Sequence, residues 1–293
     1  MKPYRWTIML LLLAMIFGCS DSLKPGNDGA QPPSTAQTET PAGTDSADPK
    51  EPSAIEPATE GADVIDMHGM VENRELLDAF IGQSEGSQRL IRYTIEGDPI
   101  YHDLTHKDGR VELRLDTTED KFGQGQVRTY SCSKLNREET DTYISYILTG
   151  CDGESKNMEL LHISFDVSKQ DRFEFVLKYG PFGTHEINTV EQKLLKDLGN
   201  GQMVEVSDYS LPEQDRQKIY RELVLAGYLN EKNLSSTCSL QNGNSYDLKV
   251  FINGGERHFQ WKSCDSGPDG KQMTAAANEM IRIVQAGTDP ITN

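Results

Sequence analysis

The chain has 293 residues, 36% of them hydrophobic, with 46 acidic against 29 basic side chains and a formal charge of −17. That length suits one or two modest cores, and the charge excludes a general nucleic-acid binder, because an acidic surface repels a phosphate backbone. Beyond the leader no run of about 18 apolar residues occurs, so the sequence offers no further membrane-spanning helix.

Residues 1–18 have the form of a signal peptide. Lys2 and Arg5 make a positive start, and Thr7 to Phe17 (TIMLLLLAMIF) form an uncharged core of about eleven residues, short of the roughly 20 that cross a bilayer. The following Ile16-Phe17-Gly18-Cys19 resembles the box of a bacterial lipoprotein. That resemblance implies that Cys19 is diacylated, becomes the mature N-terminus and holds the chain by its acyl chains, palmitate among them, on the extracytoplasmic face of the cell membrane. An ordinary signal peptide with Cys19 just past the cut is the alternative. With Cys19 lipidated, four of the five cysteines remain to pair.

Residues 19–62 are rich in Pro, Ser, Thr, Gly, Ala and acid and contain no aromatic residue. Such a segment cannot bury enough apolar area to offset chain entropy, so a disordered tether is expected, with a root-mean-square span of about 35 Å.

The first folded part is expected over 63–155. Asn73 is placed to cap a helix in ENRELLDAFIGQ, where Leu76, Leu77, Phe80 and Ile81 fall at helical spacing. RLIRYTIEG, PIYHDLTH, RVELRLDTT, GQVRTYSCS and DTYISYILTGC then alternate as strands between turn signals such as EGDP and KDG, which predicts an antiparallel meander. The segments DVIDMHG, IRYTIEGDPIYHDL and TTEDKFG, with the cysteines of YSC and LTGC, resemble domain-of-unknown-function family 4362 of lipoproteins from spore-forming Gram-positive bacteria. The resemblance implies location and fold, and carries no activity.

A second part is expected over 158–286, with 287–293 as a tail. LLHISFDV, RFEFVLKYG, INTVEQKLLKDL and GQMVEVS are strand-like. SLPEQDRQKIYRELVLAGYL opens with a capping-box pattern, Ser210 and Glu213, and places Ile219, Leu223 and Ala226 on one helix face. YDLKVFIN and RHFQWKSC form a hairpin, and KQMTAAANEMIRIVQ closes the chain as a helix. This part is similar to a recurrent module of lipoproteins of the same bacteria. The whole reads as α+β: two small domains, each a mostly antiparallel sheet with one or two helices, behind a tether.

Cys132 with Cys151 and Cys238 with Cys264 are the expected disulfides, each pair lying inside one domain, although four cysteines allow three connectivities. Each bridge would close a loop worth about 3 kcal/mol in the chain-entropy model. His102 and His106 lie on one strand, about 13 Å apart and too far to share an ion, and are expected exposed at its end. No nucleophile elbow, phosphate loop or EF-hand loop occurs, so no cofactor and no metal is expected. Two functions follow: a non-catalytic binding module for an envelope or protein ligand, with Tyr93, Tyr101 or Trp261 in an exposed patch; or an envelope hydrolase acting on cell-wall glycan or peptide, with His68, Asp66, Glu96 and Asp98 as acid–base groups.

Overall fold

The computed structural model describes residues 63–197, 202–237 and 243–288. The chain starts with a hairpin that the meander reading leaves out: β1 (Val64–Met67) and β2 (Met70–Glu72). They are joined by His68 and Gly69, both at positive φ (57° and 89°), which suits a two-residue turn whose twist matches the strands. Helix α1 (Glu75–Ile81) follows, then β3 (Ser87–Tyr93), β4 (Pro99–Lys107), β5 (Arg110–Asp116) and β6 (Val127–Cys132). They form one sheet in the order β2-β1-β3-β4-β5-β6. Every pairing is antiparallel except β1 with β3, which is parallel because α1 provides the crossover between them. The helix buries Leu77 and Phe80, and the sheet buries Val64, Leu90, Leu104 and Leu113.

Asn73 does not cap α1. It sits in the turn before the helix at φ 56°, and its Nδ2 donates to the Asp63 carbonyl, so the helix begins two residues later without a side-chain cap.

A second, three-stranded sheet takes the order β7-β8-β9: β7 (Lys134–Glu139), β8 (Tyr143–Thr149) and β9 (Asn157–Ser164). The polar run of β7 hides its strand character, and β8 carries the buried Ile144, Tyr146 and Leu148. The expected boundary at 155/158 gives β9 to the second part, whereas β9 is hydrogen-bonded along its length to β8 and completes the first. The Cys132–Cys151 disulfide is present and joins the end of β6 to the residues after β8, stapling the two sheets together.

The second body is a six-stranded antiparallel sheet, β13-β12-β11-β10-β14-β15. Its strands are β10 (Phe173–Gly180), β11 (His185–Asn188), β12 (Lys193–Asp197), β13 (Met203–Val206), β14 (Ser245–Ile252) and β15 (Gly255–Lys262). Helices α2 (Glu213–Leu225) and α3 (Pro268–Thr288) supply Ile219, Leu223, Met273, Ala277 and Met280 to the core, with Phe175, Leu177, Leu248 and Trp261 from the sheet. The Ser210–Glu213 capping box does not form. Pro212 leads directly into the helix, which makes Glu213 its first residue and leaves Ser210 too far out to cap it.

The two bodies are hydrogen-bonded to each other through α2. Gln217 Nε2 donates to the carbonyls of Asp141 and Phe165, and Arg221 pairs with Glu139 at the end of β7. The fold class is thus α+β, with two sheet-and-helix bodies. Among the described residues no helix is long and apolar enough to cross a membrane. Cys19, the 19–62 segment, Cys238 and most of the 287–293 tail lie outside the described residues; Cys264 is disulfide-bonded.

Candidate functional site: the hairpin rim of the first sheet

Because β1 and β3 run parallel, the β1–β2, β3–β4 and β5–β6 connections all turn at the same end of the sheet. That end is a rim of three neighbouring tips. Eight large hydrophobic side chains stand exposed among the described residues, and four of them are here: Met67, Ile95, Phe122 and Val127. Ile95 is 90% exposed and Phe122 76%, at the crests of their turns. Half of the exposed large hydrophobic side chains among the described residues thus stand at one end of one sheet.

The four candidate acid–base groups lie at this same rim, and two of them are buried. Asp66 accepts from Gly69 N through Oδ1 (2.8 Å) and from Arg92 Nε through Oδ2 (3.0 Å), so it closes the β1–β2 turn and ties it to β3. Asp98, at the foot of the β3–β4 turn, accepts from the backbone N–H of Lys121 (3.1 Å) through one oxygen and from its ammonium through the other. The bond to Lys121 holds the Asp98 carboxyl below the usual carboxylate range. Asp98 thereby straps the β5–β6 loop, with Phe122 beside Lys121, onto the turn that carries Ile95. His68 and Glu96 are exposed on different turns. The sheet thus gathers all four at one end, but each buried carboxylate already has its own cation and its own turn to close.

Other expected residues fall elsewhere. His102 and His106 are not an exposed pair. Alternation along β4 turns them inward on either side of buried Leu104, and His102 lies between Leu90 and Leu115. Burial, then the charge of Arg92, pushes His102 down to about 4. His106 bonds the Phe80 carbonyl at 3.0 Å and stacks on the Phe80 ring. Among the described residues no group of three His, Cys, Asp or Glu side chains could hold a metal. Trp261 is 1% exposed, stacked on Tyr246 with Nε1 donating to Thr274 Oγ1, and so cannot belong to a binding patch. Tyr93 and Tyr101 are half-buried on the sheet's other face.

That other face carries a charged row absent from the sequence reading. Arg89, Asp103 and Arg114 are directly opposite one another on β3, β4 and β5, and Asp103, 4% exposed, is held by both arginines, with Arg114 also on Asp116. The Arg89 guanidinium also lies over the Tyr101 ring. Every member has its counter-ion, and the row works as a cross-strand clamp.

A cleft of about 610 Å³ lies where the two bodies meet, lined by Glu72 and Glu75 on one side and Lys232, Asp269, Lys271 and Gln272 on the other. Lys232 is nearly buried, with its ammonium on Asp269 and Gln272. None of the candidate acid–base groups lines it.

The rim was legible in one respect. An aliphatic residue inside the turn sequence TIEGDP and an aromatic one inside TTEDKFGQG are out of place in turns, where Gly, Pro, Asn, Asp and Ser dominate. Residues 61–147 match the family model for a domain of unknown function, DUF4362. That span holds the whole rim, the charged row and most of β8. No curated protein and no solved structure matches the chain.

Proposed function

We propose that the protein is anchored by a diacylated Cys19 to the extracytoplasmic face of the cell membrane and acts there by binding, without catalysis. One observation carries the binding half of this reading: the sheet end that collects Asp66, His68, Glu96 and Asp98 uses its two buried carboxylates to brace turns and offers apolar side chains to solvent. A general acid needs a carboxyl raised toward neutral pH, and Asp98 is shifted the other way. Export is supported by the Cys132–Cys151 bond and the oxidised Cys264, since such bonds persist in oxidising compartments.

Two arms test the proposal. The Cys19→Ser variant is expected to appear in the medium, and undiminished retention on cells would sink the anchor. The mature protein incubated with purified cell wall is expected to release no soluble sugar or peptide. Release that disappears in Asp66→Asn would replace binding by hydrolysis.

A further inference from the structure

We infer that the hairpin rim docks on a protein partner, inserting Ile95 and Phe122 into an apolar recess bordered by basic side chains. This rests on the binding reading above and names its surface and partner class. The tips are exposed and braced. Asp98 fixes the Phe122 loop to the Ile95 turn, and Asp66 fixes the Met67 turn to β3. Apolar side chains held out by a rigid frame lose little freedom on docking, which is what anchors of an interface require.

The charges decide between a bilayer and a protein. Lys121, 77% exposed, is paired with Asp98 and Arg92 with Asp66, so that Glu96, Glu119 and Asp120 around the tips are balanced only by the exposed Arg128. Sinking the tips into lipid would drag those carboxylates toward hydrocarbon, at a high desolvation cost. A protein surface with lysines or arginines around a recess would meet them, and the −17 charge of the chain would speed the encounter.

The test uses the full chain in intact cells, with a photoreactive phenylalanine analogue replacing in turn Phe122, Ile95, Phe182 or Glu75. Phe182 is a 91% exposed aromatic on the β10–β11 turn of the second body, and Glu75 faces the cleft. The expected result is one protein adduct shared by the Phe122 and Ile95 positions, with the crosslinked peptide basic. Its yield should fall about tenfold when Glu96→Lys and Glu119→Lys are combined. Adducts to lipid, or rim adducts indifferent to the charge reversals, would overturn the inference. Adducts from Phe182 or Glu75 alone would overturn the rim while leaving binding in place. Adducts from none of the four positions would remove both.

Discussion

The two bodies of this protein differ in how much charge they bury. In the second, the sheet and helices close over Trp261, Phe175, Leu248 and Met280, and Asn278 accepts from the Tyr246 hydroxyl. Its buried polar groups are few, Asn188 beside Glu186 and Lys232 on Asp269, and Phe182 is the one strongly exposed aromatic among its described residues. In the first, Asp66, Asp98, His102 and Asp103 are buried while Ile95 and Phe122 are set in water. Burying charge and exposing apolar surface both work against folding, and a sheet that does both at one end is organised for something besides stability. On the binding proposal the first body carries the working surface and the second is its scaffold.

The largest effect should come from the scaffold. Trp261 is fully enclosed between Tyr246 and α3, so Trp261→Ala should remove about 4 kcal/mol through lost packing and the cavity left behind. Denaturant unfolding followed by far-UV circular dichroism measures it. A loss below about 1 kcal/mol would mean that the aromatic core does not hold the second body, and the contrast between the bodies would fail.

A smaller effect separates the bodies by pH. His102 is neutral in the folded chain because its protonated form is held down to about 4, whereas the unfolded chain takes the proton near 6.5. Between those values the unfolded state binds more protons, so stability falls as pH drops from about 6.5 to about 4 and levels off below. The loss over that window is about 3 kcal/mol. His102→Leu, which continues the row formed by Leu90 and Leu115, should flatten the profile there. Amide protection in β3 to β5 should follow the same window in the native chain and lose it in the variant. An unchanged slope in His102→Leu would assign the pH response to other groups.

How far such features could be read from sequence depends on range. Alternation, helical spacing and turn residues are local, and they sufficed for β3 to β6, for β14 and β15, and for α2 and α3, while Cys132 and Cys151, 19 residues apart, pair as expected of two cysteines inside one domain. Strand partnership is not local. Nothing in DVIDMHG says that it will lie parallel to RLIRY with a helix between, and that single pairing is what brings three turns to one end. The roles of Asp66 and Asp98 were hidden for the same reason: their cations are 26 and 23 residues away, and a carboxylate near a glycine reads the same whether it braces a turn or awaits a substrate. β7 was missed because KLNREE has one apolar side chain, Leu135, turned inward, too little for a period to register. The capping patterns failed because neighbours overrode them, Pro212 in one case and the Asp63 carbonyl in the other.

The smallest expected effect bears hardest on the comparison. Ile95 and Phe122 contribute almost nothing to the core, since both side chains face water in the free protein. Replacing both with serine should therefore change unfolding free energy by no more than about 0.5 kcal/mol, the ordinary range for surface positions. Asp98→Asn is the informative companion, because it keeps the side-chain shape while weakening the strap to Lys121, and it should raise hydrogen exchange at 118–123 without altering that of β14 and β15. If the double serine variant instead destabilised the chain as a core substitution does, these side chains would be packed in solution. The rim would then belong to the fold, and the first body would be as plainly structural as the second.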